Sequence, residues 1–372
     1  MNTFGCPAPM LIGRFVAGAA ALSFLLPLEA VAKDYTGLNI FGDSLVDAGN
    51  LFNLTGLPPS PPYDQKLSNG PIWVEALASE LQLSPTLFTA ISPGIFDGTI
   101  AAPVDGINFA FGGALSSDVN VGGPPLPGLQ QQIEAFGAVS AIAPPDADTL
   151  HILLAGGNDY NEAIFKSSPV PFELLPDQIT DNLVNAAAAM IGAGAQELLI
   201  ANLPDVGAAP FADFLDQINP QSSSLLTDFS QQHNQLLAQK LAALEAASGA
   251  HITQLDLESL FSAVTNNPAE FGFSNIDDAC LTNFQPGFVF EGICDNPDEF
   301  LFWDNVHPTT ATHSLIAQLA LDTLADKKLK GDEPTSGGAQ EVPEPANALG
   351  LMLVGGGAIA LSRTRRTAKT VR

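Results

Sequence analysis

Basic side chains are scarce in this chain of 372 residues: 13 Lys plus Arg stand against 40 Asp plus Glu, a formal net charge of −27. Between residues 33 and 331 the count is 7 against 35, whereas residues 346–372 carry 5 basic side chains and no acidic one. Nucleic acid is bound through clustered Lys and Arg, so the shortage excludes that partner for the body of the chain. An acidic body favours solubility outside the cell and leaves the substrate open. Cysteine is nearly absent too, with 3 residues in all, and none has the close Cys/His spacing of a zinc site. The Gly-x-Ser-x-Gly elbow is missing, which points away from the α/β-hydrolase fold. There is no internal repeat and no internal domain boundary. Apolar residues are not lacking: at 46% they suffice for a large core.

The two ends read as targeting segments. Residues 1–32 start weakly basic up to Arg14, run apolar from Phe15 to Leu28 and close on Ala30-Val31-Ala32, the pattern of a secretory signal peptide cleaved after Ala32. The apolar run is short for the alternative, a membrane anchor, which needs roughly 20 residues. At the other end a Gly/Ser/Thr/Pro/acidic linker fills 332–341. It leads to Pro343-Glu344-Pro345, an apolar run over 346–362 and a basic end with Arg363, Arg365, Arg366, Lys369 and Arg372. Basic residues after an apolar span favour a cytoplasmic C-terminus with the body outside.

Residues 33–331 alternate between short apolar runs and helical stretches. The strand candidates are 38–41, 107–110, 150–155, 197–201 and 251–255, each closed by Gly, Asn, Asp or Pro. Helical stretches fall at 72–81, 129–136, 177–193, 222–247 and 309–325. This alternation predicts an α/β fold, a three-layer α/β/α sandwich on a mostly parallel five-stranded sheet. Stretches 53–70 and 84–105, rich in Pro, Gly, Ser and Asp, read as loops, as does 266–299.

Cys6 leaves with the signal peptide, and Cys280 and Cys294 remain as an even pair in an exported chain. A disulfide is the natural reading, tying down the irregular segment, and a metal pair or catalytic thiols are the weaker ones.

The stretch that organises the chain is Phe41-Gly42-Asp43-Ser44-Leu45-Val46-Asp47-Ala48-Gly49-Asn50, where a buried strand breaks into a turn. A serine just past the carboxyl end of the first strand stands where such sheets bind ligands, and it becomes a nucleophile if a base reaches it. Of five histidines, His151, His233, His251 and His313 fall in strands or helices as structural or solvated groups. His307 instead lies in Asp304-Asn305-Val306-His307-Pro308-Thr309. A carboxylate three positions ahead can hold the ring's tautomer and stabilise the imidazolium. Two strand-end segments, Gly106 to Ala114 and Ala155 to Tyr160, offer oxyanion donors through glycine N–H groups and the amide of Asn158.

These four segments resemble the four sequence blocks of the GDSL or SGNH hydrolase family, whose sheet is flavodoxin-like. The blocks are Gly-Asp-Ser-Leu, a glycine block, Gly-x-Asn-Asp and Asp-x-x-His, here in family order over residues 41–307. Ser68-Asn69-Gly70 and Asn202-Leu203-Pro204 resemble its plant-like and secreted bacterial branch. The resemblance implies Ser44 as nucleophile, His307 as general base and Asp304 as its orienting partner. The oxyanion hole would be formed by Ser44 N–H, Gly113 N–H and the Asn158 side chain. Gly112 competes with Gly113 for that place, and Gly113 is preferred by its spacing from Asn108. Asp43, Asp47, Asn50 and Asp159 are expected to shape the turns. The mechanism calls for no metal or cofactor.

The C-terminal segment 342–372 resembles the PEP-CTERM sorting signal of Gram-negative bacteria. That resemblance implies a membrane sorting protease as partner and delivery to the cell surface or extracellular matrix. An ordinary C-terminal anchor would give a similar address. Three functions follow: an exported esterase or lipase acting on a lipid or an acylated small molecule or glycan; a polysaccharide O-deacetylase or acyltransferase; and a non-catalytic surface protein, against which the intact site residues argue.

Overall fold

A computed structural model describes residues 35–166, 170–285 and 287–331. The expected signal peptide, the linker, and the sorting segment with its apolar helix lie outside the described residues. Among the described residues no helix is long and apolar enough to cross a membrane.

The central sheet holds six strands: β1 (Gly37–Gly42), β2 (Thr86–Leu87), β3 (Ile107–Asn108), β4 (Thr149–Leu154), β5 (Glu197–Ala201) and β6 (His251–Leu255). Their order is β2-β3-β1-β4-β5-β6 and every pairing is parallel. The sixth strand is β2, a two-residue edge inside the segment expected to be loop, followed by the helical turns Phe88–Ile91 and Gly94–Asp97. Nothing in two residues of Pro-flanked chain shows the period-2 pattern that marks a strand.

Alternation along the strands sorts side chains to two faces. Leu38, Ile40, Leu150, Ile152, Leu199 and Ala201 share one core with α2 (Trp73–Glu80), α8 (Leu257–Asn266) and α9 (Thr310–Gly331), the helices α1 and α3–α7 being given below. Phe41, Leu153, Leu198 and Ile200 share the other core with α3 (Leu129–Ser140), α5 (Leu175–Gly192) and α7 (Ser222–Ser248). Two apolar faces, each covered by helices, make the three layers. The remaining helices α1 (Asn50–Thr55), α4 (Gly157–Lys166) and α6 (Pro210–Ile218) stand at the carboxyl end of the sheet.

After β1 the chain moves outward to β2 and β3, then returns past β1 to β4, β5 and β6. The order therefore reverses beside β1, and a crevice opens there at the strands' carboxyl ends, where open α/β sheets bind ligands. The segment expected to be irregular, 266–299, carries two small sheets, Asn275–Ala279 with Phe300–Phe302 and Leu281–Thr282 with Gly292–Ile293.

Candidate active site

Three of the sequence blocks leave adjacent strands at this crevice. Ser44 follows β1 by two residues, the glycine block follows β3, and Asn158 opens α4 just after β4. The turn after β1 requires glycine: Gly42 has φ +138°, and a Cβ there would lie 1.8 Å from the Leu154 carbonyl oxygen. Gln132, buried on α3, closes this turn from below. Its Oε1 accepts from Gly42 N–H at 2.8 Å and its Nε2 donates to Gly42 O at 2.9 Å. The amide satisfies the Gly42 N–H and shares Gly42 O with the N–H of Phe111, at 3.1 Å.

Buried polar groups lock the blocks to one another. Asp47 accepts four N–H groups, those of Gly49, Asn50, Leu51 and Gly112, at 2.6–3.0 Å. Asn50 donates to the carbonyls of Asn108 and Ala110, and Asn108 donates to that of Val46. Asp159 accepts from the N–H and hydroxyl of Ser116, while Asn158 Nδ2 donates to Ala114 O at 3.1 Å. Asp47, Asn50 and Asp159 are among the residues expected to shape the turns, and each ties one block to another segment. The N–H groups of Ser44 and Gly113 have no acceptor among the described residues, whereas that of Gly112 is taken by Asp47.

The fourth block comes from the far end of the chain. His307 Nε2 lies 2.9 Å from Ser44 Oγ, and His307 Nδ1 lies 2.8 Å from Asp304 Oδ2. With a carboxylate on Nδ1 the proton sits there, so Nε2 accepts from the serine hydroxyl. Asp304 Oδ1 also accepts the N–H groups of Val306 and His307, at 2.9 and 2.8 Å, which folds the turn that aims the ring. Burial alone would raise the Asp304 pKa. The charge and hydrogen bond of His307, with that of Tyr63, outweigh it and hold the carboxyl below its usual range.

Sequence reasoning did not single out Tyr63. Its hydroxyl donates to Asp304 Oδ2 at 2.6 Å, and burial first, then the charge of Asp304, keep the phenol protonated. The Ser68-Asn69 pair has a task in the same turn: Ser68 Oγ donates to Pro308 O at 2.9 Å and Asn69 Oδ1 accepts from Thr310 N–H at 2.8 Å. Phe211 N–H, on α6, donates to Asn305 O. Cys280 and Cys294 are bonded, with sulfurs 2.00 Å apart, and the backbone N–H groups of Cys280 and Leu281 donate to Phe302 O and Trp303 O just ahead of Asp304.

The other histidines are placed as expected for structural groups. His151, His233 and His313 are buried, and burial first of all pushes their pKa values down to about 4, 3 and 3. His251 is exposed on the edge strand β6. None borders either of the two cavities, about 290 and 530 Å³, that meet at Ser44.

A family model described as GDSL-like Lipase/Acylhydrolase matches residues 38–320. The chain belongs to this family. It is accordingly an ester-bond hydrolase on the α/β scaffold described above. Relatives of this GDSL chain include a phosphatidylcholine-sterol acyltransferase of Aeromonas hydrophila, 28% identical over 348 residues, covering 80% of this chain and 93% of that protein. The thermolabile hemolysin of Vibrio parahaemolyticus is 27% identical over 299 residues, covering 76% of this chain but only 62% of the relative's length. GDSL esterase/lipase 5 of Arabidopsis thaliana is 25% identical over 320 residues, covering 77% and 82%.

Within the Gly-Asp-Ser-Leu segment that gives the family its name, Asp43 is 4% exposed. Burial drives its pKa up to about 7, against the opposing N–H of Leu45 and the charge of His307. Asp159 is likewise pushed up by burial, to about 6, against its bonds from Ser116. The GDSL site thus holds its carboxylates in two states: Asp304 is kept ionised by its donors, while Asp43 and Asp159 are drawn toward the neutral form.

Proposed function

We propose that this GDSL chain is an exported serine esterase or lipase that hydrolyses carboxylic esters through an acyl-enzyme on Ser44. The single observation that carries the reading is the 2.9 Å contact between Ser44 Oγ and His307 Nε2, continued to Asp304. Ser44 attacks the ester carbonyl as His307 takes its proton, and Asp304 stabilises the imidazolium. The oxyanion is met by Ser44 N–H, Gly113 N–H and the Asn158 amide. The bond from Gly112 N–H to Asp47 at 2.8 Å supports the preference for Gly113 over Gly112. The imidazolium then protonates the leaving alcohol, and water, deprotonated by His307, attacks the acyl-enzyme. Ser44→Ala is expected to lower kcat on p-nitrophenyl acetate, butyrate and a long-chain ester by on the order of 10⁴-fold or more. Equal hydrolysis by the two proteins would sink the assignment.

Acyl transfer, or deacetylation of a surface polysaccharide, is a second reading. The 28% identity to a protein named an acyltransferase favours it. It shows as product esters when an alcohol or glycan acceptor is added to the same assay.

The address rests on the signal peptide at 1–32, the Pro-Glu-Pro, apolar and basic series at 342–372 that a membrane sorting protease would read, and the Cys280–Cys294 bond, which suits an oxidising compartment. Deleting 342–372 is expected to mislocalise the protein, measured by fractionation. An unchanged distribution counts against the sorting signal.

A further inference from the structure

The two cavities that meet at Ser44 are unlike. The smaller, about 290 Å³, runs from Ser44 past the ends of β4 and β5 toward α8 and α9, walled by Leu154, Leu203, Leu257, Phe261, Phe302 and Ile316. The larger, about 530 Å³, opens between α1, the glycine block, α4, α6 and the disulfide-closed loop, with Leu57, Leu126, Phe165, Phe214, Phe284 and Phe288 on its walls. Ser44 and Asn158 border both. His307 and Gly113 border the larger one and not the smaller.

This asymmetry assigns the two halves of an ester, given the roles of Ser44 and His307 proposed above. The imidazolium that received the serine proton must return it to the departing alkoxide, so the alcohol oxygen lies within hydrogen-bond reach of Nε2. The alcohol therefore occupies the cavity that His307 borders. The acyl chain, on the opposite side of the same carbonyl carbon, is left with the cavity that His307 does not reach.

We propose that the smaller cavity is the acyl-chain site, holding a medium-length unbranched chain, and that the larger, aromatic-walled cavity receives a bulky apolar alcohol. The volume suits a chain of medium length. A water's share of liquid volume is about 30 Å³ and a methylene is of similar size, so 290 Å³ holds about ten chain atoms. The acidic groups at its wall have other partners: Asp43 accepts from Leu45 N–H, Asp205 from Gly207 N–H and Thr227 Oγ1, and Glu258 from Asn234 Nδ2. The wall is mostly apolar, and each methylene buried against it raises kcat/KM by up to roughly fourfold.

The test uses two ester series on the full chain: p-nitrophenyl esters from acetate to palmitate, and octanoate esters of methanol, benzyl alcohol and a large apolar alcohol. Wild type is expected to show kcat/KM rising to about eight to ten carbons and falling beyond, and to favour the large alcohol. Ala209 borders only the smaller cavity, half-buried on extended backbone at the head of α6. Ala209→Trp is expected to cost roughly tenfold on decanoate relative to acetate, with the alcohol ranking kept. Phe165, 52% exposed, borders only the larger cavity, and Phe165→Ala is expected to flatten the alcohol ranking while leaving the acyl optimum in place. An exchange of these two effects would overturn the assignment, as would a wild type fastest on acetate with steady decline; the latter reading needs no variant. Turnover that survives Ser44→Ala sinks the ester mechanism itself, whereas Ser44-dependent turnover with exchanged profiles sinks only the division of the cavities.

Discussion

Ser44, Gly113 and Asn158 stand at the ends of three neighbouring parallel strands, whereas Asp304 and His307 stand on a turn held from outside the sheet. On the strand side, the supports are Gly42 in a φ that only glycine adopts, Gln132 beneath it and Asp47 with four N–H donors, all buried. On the turn side they are Tyr63, Ser68 and Asn69 from one loop, the head of α6, and the backbone beside Cys280. Ser44, Gly113 and Asn158 are thus carried by the ends of the sheet's own strands. The alignment of the imidazole depends on segments that fold against it from three places in the chain.

The strand side is tested by Gly42→Ala. A Cβ at 1.8 Å from a carbonyl oxygen, on a backbone with φ +138°, combines overpacking with a conformation close to Gly-only. The expected loss is about 4 kcal/mol of folding free energy, read by chemical denaturation, with activity and far-UV signal lost together. A variant that unfolds like wild type would show that the turn relaxes without the sheet.

The turn side is tested by replacing both cysteines with alanine. The bond joins residues 14 positions apart, and closing a loop of that size stabilises by roughly 3 kcal/mol in chain-entropy terms. Here activity is expected to fall at a lower temperature than the sheet's far-UV signal, because the backbone of Cys280 and Leu281 is bonded to Phe302 and Trp303 immediately before Asp304. Coincident transitions would mean that the loop and the sheet melt as one unit.

Legibility in the sequence divides along the same line. β1, β4, β5 and β6 are short apolar runs closed by turn residues, and their positions follow from pattern alone. Four blocks, each a common turn by itself, become a site because the parallel sheet brings the ends of β1, β3 and β4 side by side. The supports of the turn side had little signature. Tyr63 lies in a Pro-rich stretch with no periodicity, and its pairing with Asp304 spans 241 positions. Gln132 looks like any polar residue of an amphipathic helix until the fold buries it. Local signals for α8 and α6 were present but faint: Asp256 caps the first by accepting from Ser259 N–H, and Pro210 opens the second. α4 begins inside Gly156-Gly157-Asn158, where glycines read as a loop and helix formation is decided by what packs beneath.

Tyr63 gives the finest separation of the two sides. Tyr63→Phe keeps the ring, and with it the edge contacts to Phe288 and Trp303 at 5.5 and 6.2 Å, but removes the 2.6 Å donor to Asp304. A hydrogen bond to a buried charge contributes about 1.5–3 kcal/mol, so kcat/KM is expected to fall roughly tenfold or somewhat more. The sign of the pH effect follows from the direction at Asp304. Its carboxyl is held below the usual range partly by this hydroxyl, so losing the donor raises its pKa and leaves more of its negative charge facing His307. A carboxyl that protonates more readily moves the acid limb of the kcat/KM profile to higher pH. The same substitution leaves Ser44, Gly113 and Asn158 untouched, so the alcohol and acyl rankings should not change. A drop in rate with an unmoved acid limb would make Tyr63 a packing residue. A moved limb with unchanged rankings would mean that the loops set the proton transfer while the strands set the geometry of the ester.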